Sequence, residues 1–97
     1  MLESATLETF TPRIRERFRF SAGGGETLDA TLIEATALGA SRGAGRQPFS
    51  IVFLGPAAPV WPQRIYRVEH EALDPLDLFL VPIGPRDGGM QYQAIFT

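Results

Sequence analysis

Short runs in which hydrophobic and polar residues alternate fill the second half of the chain, separated by turn residues. The runs Arg64–His70 and Met90–Phe96 alternate with a period of two, which predicts strands with distinct faces. The unbroken apolar run Phe49–Leu54 predicts a buried, central strand. Leu76–Ile83 is also mostly apolar, but Pro82 offers no backbone N–H, so we expect that strand to lie at an edge or to bulge there.

Turn residues join these runs into hairpins. Asp74 and Pro75 predict a short turn between two of the strands, and the segment Gly84–Gly89 predicts a second turn before the C-terminal strand. Gly39–Arg46 is rich in Gly, Ser and Arg and is expected to be a flexible loop. Pro56–Pro62 contains three prolines, which predicts a stiffer irregular segment.

A short helix is expected near the N-terminus. Ser4 is a candidate N-cap, Leu7 and Phe10 are spaced to face the core together, and Thr11–Pro12 would end the helix.

Two further alternating runs flank the glycine turn Gly23–Gly25. The first is expected to form a strand from Arg15 or Glu16 onward, with its phenylalanines on one face. The second covers Glu26–Leu38, with the even positions on the core face as far as Leu38. Glu34 does not suit that face, so we expect a bulge or a frayed end there.

These elements predict a mainly β fold of about six mostly antiparallel strands with one short N-terminal helix. At 97 residues the chain is long enough for one small domain, residues 1–97, which we expect to be a barrel-like or sandwich domain.

Composition limits the partners and the compartment. The formal net charge is −2, so no overall field attracts nucleic acid or an anionic membrane. There is no cysteine and no apolar run that could span a membrane, and because the first residues include an early acid and no apolar segment, we expect no secretory signal. We expect a cytoplasmic protein whose partner is another protein, with nucleic acid and membranes disfavoured.

The sequence offers little catalytic or metal-binding chemistry. His70 is the only histidine, and no nucleophile motif accompanies it. The acids Asp74, Asp77 and Asp87 are explained by turn formation, although they could supply a carboxylate metal site. We therefore predict no enzymatic activity, no catalytic residue, no metal and no cofactor. The alternative is a ligand-binding or enzymatic small barrel with a pocket near Tyr66, His70 and Tyr92.

Two features are candidates for contact with an anion or a partner. Four arginines alternate in one short run and would share a strand face, where they could bind phosphates, nucleic acid or an acidic partner, with Arg42 and Arg46 as possible additions. Solvation and pairing with acids within the chain explain the same pattern. The four arginines of this run are Arg13, Arg15, Arg17 and Arg19. Trp61, beside proline, could anchor a partner or fold back over the core.

The segments Trp61–His70, Leu78–Pro85 and Gly89–Phe96 resemble a family of small uncharacterised bacterial proteins known only as a domain of unknown function. Leu7–Phe10 and Phe18 fit the start of that pattern. The resemblance brings no activity, but it implies an association with phage-tail-like genes, and hence a structural or assembly accessory. Docking or homo-oligomerisation by strand addition is then expected at an open edge, near Pro82 or along the C-terminal strand.

Overall fold

Six antiparallel strands close into a barrel in the computed structural model, which describes residues 5–39 and 47–97. The strands are β1 (Arg17–Ser21), β2 (Thr27–Ala37), β3 (Phe49–Pro56), β4 (Arg64–His70), β5 (Leu73–Arg86) and β6 (Gly89–Phe96), and helix α1 (Leu7–Phe10) runs on into a 3-10 helix, Thr11–Arg13. The predicted mainly β class is confirmed, in its barrel form. In the described ranges, no helix has the length and apolar character that a membrane crossing requires.

Two three-stranded meanders make up the barrel, in the order β1-β2-β3-β6-β5-β4. The β3–β6 ladder joins them along eight residue pairs, from Phe49 opposite Phe96 to Pro56 opposite Gly89. The β1–β4 ladder closes the barrel along only three, from Arg19 opposite Glu69 to Ser21 opposite Arg67. We call this short ladder the seam.

Each strand has a neighbour on both sides, because the barrel is closed. The C-terminal strand is not a free edge, because β6 pairs with β3 along its whole length. Near Pro82, however, β5 pairs with β6 only, because the ladder between β4 and β5 ends at Leu80. β5 and β6 pair with each other across Pro82 and Tyr92, and β6 also pairs with β3. Strand addition, and homo-oligomerisation through an edge strand, stay predictions for this part of β5.

The two ends of the barrel are closed by different elements. At the helix end, Phe10 of α1 is fully buried, with its ring 5.6 Å from that of Phe96 and 5.9 Å from that of Phe49. At the loop end, the β3–β4 connection places Trp61 against the ring of Tyr66, 5.2 Å away. Side chains from the inner faces of all six strands fill the space between.

Both expected strand irregularities are confirmed. Pairing shifts register between Leu32 and Glu34 on β2, and between Pro82 and Gly84 on β5. The β2 bulge reverses the alternation that follows it, so that Ala35 packs toward the core while Leu38 is exposed. The prediction that Leu38 shares the core face with the earlier even positions is wrong for that reason.

The hairpin turns differ in how well the sequence located them. Between β4 and β5 the turn is Glu71–Ala72, and Asp74 and Pro75 lie within β5, so that prediction is displaced by three residues. Between β5 and β6 the predicted turn is confirmed, although the strand extends to Arg86 before it. Asp87 and Gly88 have φ angles of 50° and 79°, the paired positive values of a two-residue hairpin turn.

The N-terminal helix is confirmed at Leu7–Phe10, with Thr6 at its N-cap. The backbone N–H of Thr6 donates to Oγ1 of Thr9 at 3.0 Å. Ser4, the expected cap, lies outside the described residues, as does most of the expected Gly39–Arg46 loop. Helical structure continues through Pro12, which suits the first turn of the 3-10 segment.

Strands β3 and β6 approach each other closely at a pair of glycines. A Cβ atom at Gly89 would collide with the carbonyl oxygen of Gly55 and lie 3.0 Å from a methyl carbon of Leu54. Position 89 therefore requires glycine, the residue that has no Cβ atom.

Candidate functional site

The barrel interior is packed with aromatic rings rather than open to a ligand. Tyr66 and Tyr92 are 2% and 0% exposed, and Phe20 lies between them, 6.4 and 5.8 Å from their respective ring centroids. His70 is four residues along β4 from Tyr66, about 13 Å away on strand geometry. The expected pocket ringed by Tyr66, His70 and Tyr92 is not formed, because both tyrosines belong to the core.

The two phenol groups hold the loop end in place. The backbone N–H of Trp61 donates to the Tyr92 hydroxyl at 2.9 Å, and the Tyr66 hydroxyl donates to the carbonyl of Pro62. Burial raises the pKa of Tyr66 above its ordinary value, so the phenol remains a neutral donor. Trp61 is half-buried and packs against the core, which is the folded-back arrangement of the two that the sequence allowed.

The four arginines of the N-terminal run do not share one strand face. Arg13 belongs to the 3-10 helix and donates to the Thr9 carbonyl at 2.8 Å. Arg15 precedes β1 with a positive φ of 81°. Arg17 and Arg19 alone point outward from β1. Arg42 and Arg46 lie outside the described residues.

One arginine of the run is paired with an acid of the chain. Arg19 lies opposite Asp29 on β2 and Glu69 on β4, and its Nε donates to Oδ1 of Asp29 at 2.9 Å. This hydrogen bond lowers the pKa of the Asp29 carboxyl. Arg67 donates to Glu69 at 3.3 Å. Within the described ranges Arg19 is the member of the run that forms an ion pair with an acid, whereas Arg13, Arg15 and Arg17 form none.

An open groove of about 770 Å³ lies where β1 and β4 separate beyond the seam. Its lining residues carry more acidic than basic groups: Glu16, Arg17, Phe18, Arg19, Asp29, Glu69, His70 and Glu71. The acidic excess disfavours a phosphate ligand. No three His, Cys, Asp or Glu side chains of the described segments are grouped to hold a metal ion.

His70 closes the inner side of this groove. Its side chain is 5% exposed, and its ring lies 4.6 Å from that of Phe18. The backbone N–H of Ala72 donates to Nδ1 at 3.0 Å, so the proton of the neutral ring is on Nε2, which lies 2.7 Å from Oε1 of Glu16. Both ring nitrogens are thus engaged, and His70 links β4 to the segment before β1. We call the His70–Glu16 contact the latch.

An apolar patch lies on the outer face of β4, β5 and β6. Ile65 and Phe79 are 64% and 53% exposed and lie directly opposite each other on β4 and β5. Ile95, on the outer face of β6, is 59% exposed. Ile65 alternated with the core positions, as the sequence predicted, but the run Leu76–Ile83 did not reveal which of its apolar residues face outward.

The comparisons with known proteins give a family and name no activity. A family model described as a domain of unknown function, DUF6916, matches residues 5–96. The chain belongs to this family. Membership of DUF6916 confirms the family resemblance seen in the sequence and assigns no chemistry. Searches of curated proteins and of solved structures give no match.

Proposed function

We propose that this DUF6916 domain is a non-enzymatic module that binds another protein through the outer apolar patch. The observation that carries the proposal is the exposed pair Ile65 and Phe79 on a barrel whose interior is filled. Large exposed apolar side chains that adjoin one another are typical of protein contact sites. The proposed compartment is the cytoplasm, as expected from the sequence.

The narrower form of the proposal is an accessory role in the assembly of a phage-tail-like structure. It rests on the family resemblance alone, so the identity of the partner decides it. A tail-like structural protein retained by the patch would support the narrower form, and any other protein retained by the patch would leave only the broader one.

Affinity capture from the native host tests both forms. Wild-type protein, Phe79→Ser, Ile65→Ser and Val60→Ser are compared by quantitative mass spectrometry, with the circular dichroism of each variant recorded. Val60 is the matched control, because it is 48% exposed but lies in the β3–β4 connection. We expect a partner held by wild-type and Val60→Ser protein and lost from both patch variants. Equal capture by all four proteins would refute a role for the patch.

A further inference from the structure

The outward residues of β4 and β5 form rows across the two strands. One row is Ile65 beside Phe79, and the next is Arg67 beside Asp77. All four side chains are exposed. The first row is therefore wholly apolar, and the second contains one positive and one negative charge.

These rows are self-complementary. A twofold axis can run parallel to the strands, above the midline between β4 and β5. Rotation about this axis places β4 of one chain over β5 of the other and leaves each residue at the same height along the strands. In a pair of chains related by that axis, Ile65 faces the partner's Phe79 and Arg67 faces the partner's Asp77. Apolar groups then meet apolar groups, and each charge meets its opposite, as an isologous interface requires.

Asp77 gains the most from such a partner. Among the described residues no cation forms an ion pair with Asp77, since Nε of Arg67 is directed to Glu69. An unpaired acid beside a large apolar patch is a specificity element, because it rejects surfaces that lack a cation at the matching position.

We infer that the outer face of β4 and β5 binds a second copy of this chain about a twofold axis parallel to the strands. This inference rests on the proposed protein-binding function and names the partner. The convex barrel limits the contact to β4 and β5 over the seven residues of β4, a face about 24 Å long and about 10 Å wide, or about 230 Å² on each chain. Stable interfaces bury about 800 Å² on each partner, so the dimer is weak and forms at high protein concentration.

Sedimentation equilibrium of the full chain from about 10 μM to about 1 mM tests the dimer. The mass is expected to rise toward twice the monomer value, and Phe79→Ser and Ile65→Ser should each weaken association at least tenfold. Val60→Ser should associate like wild type. Circular dichroism and thermal melting check that each variant is folded.

A charge exchange tests the twofold arrangement itself. R67D and D77R should each weaken association by placing like charges opposite each other, and the double variant R67D/D77R should restore it. Failure of the double variant to recover would overturn the proposed axis.

Outcomes for the dimer and for the broader function are separable. A chain that remains monomeric to about 1 mM overturns the dimer, and so does a dimer indifferent to Phe79→Ser. In either case the capture experiment with Phe79→Ser still decides whether the patch binds a different protein.

Discussion

The helix end and the loop end of the barrel are closed by different chemistry. At the helix end, the apolar ring of Phe10 fills the space between Phe49 and Phe96. At the loop end, two buried phenols are hydrogen-bonded to the backbone of Trp61 and Pro62. The helix end therefore stabilises the barrel mainly by packing. The loop end also fixes the conformation of the β3–β4 connection, which joins the two meanders.

The largest effect is expected for Phe10→Ala. Removing a fully buried ring leaves a cavity at the helix end and should lower the free energy of unfolding by about 3–5 kcal/mol. Urea denaturation measures the change, with Glu8→Ala on the exposed side of the same helix as the control. A loss below about 1 kcal/mol would show that the helix does not close that end in solution.

His70→Ala should have the next largest effect, because it removes the latch and the contact with Phe18. We expect a loss of about 2 kcal/mol and faster amide hydrogen exchange along the seam than along the β3–β6 ladder. Glu71→Ala, an exposed neighbour, is the control. If seam amides exchange at the wild-type rate, the three-pair ladder holds without the latch.

Tyr92→Phe should have a smaller effect, confined to the loop end. It removes the acceptor for the N–H of Trp61 while keeping the buried ring, at a cost of about 1 kcal/mol. The fluorescence of Trp61, the only tryptophan, should shift to longer wavelength as the loop loosens. Unchanged emission would mean that the ring contact with Tyr66 alone positions Trp61, and would weaken the contrast between the two ends.

Tyr66→Phe should cost no more than Tyr92→Phe at neutral pH, and it is distinguished by its pH dependence. Because burial raises the pKa of Tyr66 above 10.0, the unfolded chain loses this proton at lower pH than the folded one. The contribution is therefore complete well below pH 10, and the free energy of unfolding falls as pH rises from about 10 through the raised pKa.

The Tyr66→Phe variant has no phenol proton, so its free energy of unfolding should fall less than that of the wild type between pH 10 and pH 11.5. At neutral pH its free energy of unfolding should be about 1 kcal/mol lower than that of the wild type, because the hydrogen bond to Pro62 is missing. Denaturation series at several pH values measure both slopes. Parallel curves for the variant and the wild type would contradict a buried phenol at this position. Phe10→Ala, at the other end, should keep the wild-type slope.

Local pattern was sufficient for much of the fold. The bounds of β4, the core face of β6, and the bulges at Glu34 and Pro82 follow from alternation and from residues that do not suit it. The turn after β4 was misplaced because Asp74 and Pro75 suit a turn locally, whereas the chain turns at Ala72, whose N–H is satisfied by His70.

The features that the sequence missed depend on distant residues. Closure of the barrel depends on three residue pairs between β1 and β4. The two residues of each pair lie about 50 positions apart in the sequence, so no local pattern marks them. The division of the arginine run follows from the positive φ of Arg15 and from acids on two other strands. The outer row of Ile65 and Phe79 becomes visible only when the register of β4 and β5 is known.

The contact between Gly55 and Gly89 has a consequence for how sequences in the DUF6916 family can diverge. Any side chain at position 89 must move the backbone at Gly55, and the two strands there belong to the ladder that joins the meanders. Relatives that keep this barrel are thus expected to inherit glycine at position 89. A relative with a larger residue there should have shifted the register of its β3–β6 ladder, which makes this position a marker for the geometry of a homologue before its structure is known.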